Sequence, residues 1–333
     1  MTPVLLNRTE INDARWDQLI GACRQGVVYA HTFYLDIVCC GWKALVWPDR
    51  SNYQIVMPLP VVKKWGKTIV FQPLFCQYLG VFSMGCLGQT DFLAFMQALS
   101  SHFSYVSSYH FNPENFNTLF RIKDQLAEFT FTPQHTFWLN LCRAYGEIYG
   151  DYSPDRKVNV RRGRSSGWTI EKNGQITPLI ELFVANQSRR IAGGVRPGAY
   201  DLLKNIFAET QMRGIGQVCY AKKDNQVHAG TLVVRYAGRA IYLFNASDAV
   251  GRKNNARSCL LDMYFSGHAE EHLVFDFESP EVPAIAGFYK SFGAHSIPYF
   301  KISKNQLWFP FRQIQNWRVR YFQNQVKSLR RPL

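Results

Sequence analysis

Two carboxylates, Asp276 and Glu278, stand two residues apart where the apolar run LVFDF ends. If the strand continues through both, their side chains leave the same face, and one of them can accept a proton from a nucleophile, directly or through water. The alternative is structural, with Asp276 capping the following turn and Glu278 solvated. Asn245 and Ser247 close another apolar run, YLFNAS, placed either to contact a ligand or to form the turn. His228 falls inside a strand-like run and reads as a core histidine more readily than as a base. Eight cysteines, at 23, 39, 40, 76, 86, 142, 219 and 259, form no CxxC pair, and no histidines cluster at metal spacing. Neither a zinc site nor a disulfide framework is therefore expected, and the vicinal Cys39 and Cys40 read as core thiols.

The elements that must hold these residues can be read from periodicity. Runs at 217–221, 227–236 and 239–245 are joined by the short turns KKDNQ and AGR, the pattern of an antiparallel meander. A loop over 246–255 follows, then a helix marked by Leu260, Leu261, Tyr264, Phe265 and His268, a strand over 273–277, a helix over 282–292 and a strand over 296–302. Upstream, TFWLNL alternates like a strand, and Ser153 is placed to cap a basic helix carrying Arg156, Lys157, Arg161, Arg162 and Arg164 around its circumference. Leu179, Leu182, Phe183 and Asn186, and Leu202, Leu203, Ile206 and Phe207, mark two amphipathic helices. The first third reads as helices over 12–23, 33–38 and 90–103 with strands at 44–47, 53–59, 68–71 and 78–82. After the meander, the order of helix, strand, helix, strand sets the third meander strand beside LVFDF with helices on the sheet faces.

A chain of 333 residues exceeds the size of most single cores, so two domains are expected. Hydrophobic residues at 47% and aromatics at 15% mark a globular chain. The uncharged stretch 68–90 is interrupted by Gln, Pro and Gly, so no transmembrane segment is predicted. The N-terminus lacks a secretory pattern, and the cytoplasm is the expected location. A net charge of +14 favours anionic partners such as nucleic acid, a CoA pyrophosphate, a nucleotide-sugar or an anionic membrane face.

FDFESPEVPAIAGFYKSFG, residues 275–293, resembles the strand, loop and helix of the GNAT superfamily, with the same tyrosine-to-glycine spacing. HTFWLNL with the basic helix after it, and KKDNQVHAGTLVVRYAGRAIYLFNASD, resemble the FemABX peptide-bridge aminoacyltransferases, an acyl-transfer branch that includes BioF2-like acetyltransferases. Together these matches span about 134–302. The resemblance implies an α/β (α+β) fold of two tandem GNAT-like domains, each a mixed, mostly antiparallel sheet flanked by helices. The first would cover 1–134, joined by a C-terminal helix over 308–333 whose stripe of Ile314, Trp317, Tyr321, Phe322 and Val326 returns to it. The second, over 135–307, would carry the acyltransferase site, with acceptor bound in or near the cleft between the domains.

In that fold the strands through Leu243 and Val274 part beside Tyr289 and open a cleft for an anion. The resemblance casts Tyr289 as proton donor to the leaving group, with Glu278 or Asp276 taking the amine proton, and gives donor contacts to Asn245, Ser247, Arg252, Lys253, Arg257 and Lys290. Arg161 and Arg190 are candidate acceptor contacts. GRKNNARSCLL departs from the glycine-rich RxxGxG loop of acetyl-CoA users, so the co-substrate is an acyl-CoA or an aminoacyl-tRNA, with no metal and no tightly bound cofactor. The acceptor would be a small amine, a polysaccharide amine or a cell-wall precursor. A non-catalytic basic module binding RNA or another polyanion is the competing expectation.

Overall fold

The computed structural model describes residues 2–64, 66–172, 174–188, 194–278, 283–315 and 317. The chain divides into two units, one built on residues 1–133 and the chain from 299 onward, the other on 134–191 and 195–298. The first begins with β1 (Val4–Asn7), α1 (Asp13–Ala22), α2 (Thr32–Val38), β2 (Lys43–Pro48), β3 (Tyr53–Leu59), β4 (Val61–Lys64), β5 (Lys67–Val70), β6 (Phe82–Ser83), α3 (Gln89–His102), β7 (Tyr105–His110) and α4 (Phe116–Ile122). Asn12 caps α1 by accepting from Arg15 N–H, and Trp16, Leu19 and Ile20 fall at i, i+3 and i+4 on its buried face. Strands β1, β2, β3 and β6 lie side by side, as do β4, β5 and β7.

Within this unit the segments through Leu79 and Phe111 meet in a single parallel bridge and then part. The unit's own side chains occupy the place where they separate. Val81 N–H donates to Asn115 Oδ1 at 2.9 Å, and Asn115 Nδ2 donates back to Val81 O at 3.1 Å. The Tyr109 hydroxyl accepts from Gly80 N–H at 3.0 Å and donates to Pro58 O at 2.9 Å. Backbone groups that could have received a ligand are thereby satisfied internally.

The second unit contains the greater part of β8 (Thr130–Asn140), then α5 (Tyr145–Gly150), α6 (Pro154–Arg164), β9 (Thr169–Lys172), α7 (Thr177–Asn186), α8 (Ala199–Met212), β10 (Gly216–Lys223), β11 (Gln226–Tyr236), β12 (Arg239–Ser247), α9 (Ala249–Lys253), α10 (Ala256–Gly267), β13 (Val274–Asp276) and α11 (Pro283–Lys290). Its strands run in the order β8-β13-β12-β11-β10-β9. The two meander turns are two residues long, Asp224–Asn225 and Ala237–Gly238, with φ between 45° and 75° at all four, the backbone that suits the strand twist. α10 packs on β10 and β11, and α7 on β11 and β12.

The parallel pairing of β12 with β13 covers only Arg239↔Val274, Ala240↔Phe275 and Ile241↔Asp276. From Tyr242 onward β12 continues to Ser247 against β11 alone. The second strand stops because Glu278 is left-handed at φ 61° and its N–H turns back to Asp276 Oδ1 at 2.9 Å. This corrects the expectation that Asp276 and Glu278 share a face of one continuous strand. A further correction is α9, a helix inside the expected loop. Asp248 starts it by accepting from Gly251 N–H at 2.7 Å, and Gly251 lies so close to β11 that a Cβ would stand 2.2 Å from His228 O.

The last strand, β14 (His295–Asn305), passes into the first unit at residue 299, earlier than the boundary expected at 307. There Lys301 and Ile302 pair with β7, and the buried Lys304 ammonium donates to Ser100 O at 2.5 Å and Phe103 O at 3.0 Å at the end of α3, where carbonyls favour a cation. Beyond it lies a small cluster of Ile69, Tyr105 and Leu307, against which Phe311 packs. Ile314 and Trp317 are exposed and Gln315 is buried, so the described part of the expected apolar stripe faces outward. Tyr321, Phe322 and Val326 lie outside the described residues.

Candidate active site

Ser153 caps α6 by accepting from Arg156 N–H, and Arg156, Val160 and Gly163 follow at i, i+4 and i+7 on the buried face. An arginine is thus held inside, 7% exposed. Its Nε donates to Ser291 Oγ at 2.9 Å and its Nη1 to Ser258 Oγ at 2.5 Å, with the guanidinium 4.3 Å from the Phe288 ring centroid. Arg257 approaches the same ring at 4.5 Å and donates to Asn245 Oδ1 at 2.9 Å. Among the described residues neither arginine forms an ion pair with a carboxylate. Burial and the nearby Arg257 charge lower the Arg156 pKa to about 10, which still leaves it a cation at neutral pH.

Arg156, Arg257, Ser258 and Phe288 line a pocket of about 230 Å³ together with Asn159, Ser247, Arg252 and Asn255. Among the described residues no acidic side chain lines it. Asn255 precedes α10 in the left-handed conformation, φ 55°, and makes no side-chain bond to the first amides of the helix. Asparagine tolerates that backbone where a glycine would be usual. An uncapped helix start between two arginines is chemically an anion site.

The other end of the site is aromatic. Tyr289 on α11 is buried, stacked on Phe277 at 4.6 Å and set edge-on to Tyr242 of β12 at 6.4 Å. Burial raises the pKa of both tyrosines well above the ordinary phenol value, and the Arg257 charge opposes the rise at each. Both therefore stay protonated at neutral pH and can donate. Asp276 Oδ1 accepts from the Thr136 hydroxyl at 2.6 Å and from Glu278 N–H, and Oδ2 lies 3.8 Å from Arg239 Nη1. Its carboxylate is occupied in holding the turn, so the structural alternative describes it better than the role of base. Glu278 is partly exposed beside Tyr289, whose pKa its charge helps to raise.

Of the predicted contacts, Ser247, Arg252 and Arg257 line this pocket, Asn245 is bonded to Arg257, and Tyr289 lies among the aromatic rings. Ser247 Oγ donates to His228 O at 3.1 Å, and Arg252 Nη1 donates to Ser247 O at 2.6 Å, so these two brace the loop as well as line the pocket. Lys253 is exposed and does not line it. Lys290 is exposed at the end of α11, 5.8 Å from the Phe137 ring. Arg161 is exposed and away from the pocket lining, and Arg190 lies outside the described residues. His228 pairs through Nδ1 with Asp248 at 2.8 Å, a satisfied histidine. Sequence reasoning missed Arg156, Ser258, Phe288 and Tyr242. Arg156 carried a signal, because it falls on the stripe that also holds Val160. Among the described residues no group of three or more His, Cys, Asp or Glu could hold a metal.

Residues 156–281 match the family described as acetyltransferase (GNAT) domain, a span that begins at the buried arginine and ends past β13. These residues thus form a GNAT domain. The fold is FemX-like: the crystal structure of FemX superposes with a TM-score of 0.64 at 12% identity, covering 87% of this chain and 96% of that one. The C-terminal domain of a putative lysylphosphatidylglycerol synthetase from Agrobacterium fabrum gives 0.54 at 11% identity, covering 91% and 94%. A tandem GNAT protein from the clavulanic acid biosynthesis pathway gives 0.51 at 11% identity, covering 90% and 97%. No curated protein sequence matches the chain. The chain thus carries a GNAT acyltransferase domain in a fold of two GNAT-like units, and no described helix is long and apolar enough to cross a membrane.

Proposed function

We propose that the second unit transfers an acyl or aminoacyl group from a phosphate-bearing donor, an acyl-CoA or an aminoacyl-tRNA, to an amine of a cell-wall or polysaccharide precursor. The observation that carries this reading is the pair Arg156 and Arg257, two cations without a carboxylate partner among the described residues, at the uncapped start of α10 and beside strands that part. The donor phosphates neutralise these arginines, and the acyl carbon lies toward Tyr289. The amine nitrogen bonds to that carbon, Glu278 takes the amine proton, and the thioester C–S or ester C–O bond breaks. Tyr289 gives its proton to the departing thiolate or alkoxide.

Thermal denaturation with acetyl-CoA, longer acyl-CoAs, charged tRNA and UDP-linked muropeptides tests this, because a ligand at a hundred times its Kd stabilises the native state by about 2.7 kcal/mol. An acylated donor that raises the melting temperature supports acyl transfer. Salt-sensitive RNA binding with no response to any acylated donor favours the non-catalytic polyanion-binding module and refutes the proposal.

A further inference from the structure

Tyr242 is the first residue of β12 beyond its last pair with β13, Ile241↔Asp276. It is 3% exposed, and its hydroxyl is buried with no hydrogen-bond partner among the described residues. Its ring lies among Phe275 at 5.9 Å, Phe277 at 6.1 Å and Tyr289 at 6.4 Å. A phenylalanine would fill that space equally well and would leave no hydroxyl stripped of water, a condition that costs about 1–3 kcal/mol.

The direction of the hydroxyl follows from its surroundings. The Arg257 charge acts on both the Tyr242 and Tyr289 hydroxyls, and Arg257 itself lines the anion pocket. Tyr242 does not line that pocket, however, and its neighbours are aromatic rings. A phosphate there would lie among rings without an arginine in contact, whereas a neutral carbonyl needs only one donor. We propose that the Tyr242 hydroxyl donates a hydrogen bond to the transferable carbonyl of the acyl donor, at the point where β12 and β13 part. The inference rests on the acyl-transfer reading and assigns that reading a ligand contact outside the phosphate pocket.

The test is Tyr242→Phe, with two measurements on the full chain. Thermal denaturation without ligand should give a melting temperature equal to wild type or slightly higher, because the hydroxyl removed has no partner among the described residues. Titration with two matched pairs, acetyl-CoA against CoA and alanyl-tRNA against the uncharged tRNA, reads the carbonyl contact. In the pair that binds, wild type should prefer the acylated member by roughly threefold to tenfold, the value of one neutral hydrogen bond. The variant should bind both members equally, with the wild-type affinity for the unacylated one. A variant that keeps the preference, or whose ligand-free melting temperature falls by about 3 °C or more, overturns the assignment while leaving the donor site intact. A wild-type chain that binds neither pair refutes the donor-site reading and this assignment with it.

Discussion

Replacing Arg257 with glutamine should separate ligand binding from folding. Arg257 and Arg156 each lie within 4.5 Å of the Phe288 centroid, so the two guanidinium groups are at most about 9 Å apart. At that distance and an effective dielectric near 20, like charges repel by about 2 kcal/mol. In the ligand-free protein, Arg257→Gln relieves this repulsion and loses the Asn245 hydrogen bond, worth about 1.5–3 kcal/mol with a charged donor. The two effects nearly cancel, so the free energy of unfolding should change by less than about 1 kcal/mol. With a phosphate-bearing donor the balance reverses. The charge-assisted bond to the ligand is lost with nothing to offset it, and affinity should fall by about 1.5–3 kcal/mol, roughly ten- to a hundredfold. Urea denaturation of the free protein and calorimetric titration with whichever donor stabilises the wild type measure the two quantities. A variant destabilised by 3 kcal/mol or more with unchanged donor affinity would show that Arg257 serves the fold, and the anion-site reasoning would fail.

Glu278→Gln should lower the rate of thiol release from acetyl-CoA in the presence of acceptor by roughly 10²–10⁴, with donor affinity unchanged; loss of affinity with an unchanged rate would exclude Glu278 as base. Asp262 is fully buried and receives Arg164 at 2.6 Å, the Tyr145 hydroxyl at 2.7 Å and the Tyr152 hydroxyl at 3.2 Å. Asp262→Ala, which strands those donors, should cost about 3–5 kcal/mol in chemical denaturation, and a cost under 1 kcal/mol would contradict the geometry. In the first unit, burial and Lys301 lower the His110 pKa to about 4. Below pH 6.5 the unfolded chain takes up a proton that the folded one refuses. Stability should therefore fall between pH 6.5 and 4 by about 3 kcal/mol, a slope that His110→Asn removes and that melting curves across this range would reveal.

Much of this fold was legible because local patterns and tertiary packing agree. The meander turns were marked by DN and AG, the basic helix by Ser153, and the third strand with its parallel neighbour by the order of helices and strands. The short elements β1, β4, β7, β9, α4, α5 and α9 were not expected, since stretches of four to seven residues carry few periods from which to judge. The site was legible in part. Arg257, Asn245 and Tyr289 stood out through type and position, but Arg156 was counted with a circumferential basic helix when it belongs to its buried face. Asp276 and Glu278 were paired by an alternation that ends when the backbone enters the left-handed region at Glu278. Tyr242 gave no signal, because a tyrosine within an apolar strand reads as packing until its hydroxyl is seen to lack a partner.

Both units contain a place where two neighbouring segments meet in parallel and then separate, and they differ in what occupies it. In the first, Asn115 takes both backbone groups of Val81, and Tyr109 joins Gly80 to Pro58. Each bond there is short, neutral and internal, so a ligand would have to break several hydrogen bonds, each with a net worth of about 1 kcal/mol, before making its own. In the second, the strand edge beyond Ile241 is flanked by a buried hydroxyl and by two arginines that, among the described residues, have no hydrogen-bond partner and no carboxylate respectively. That arrangement costs the ligand-free fold some stability, and a donor bringing both a carbonyl and phosphates would offset it. On the acyl-transfer reading, the same backbone plan gives one closed unit and one prepared for a ligand, and the difference resides in side chains that secondary-structure patterns do not distinguish.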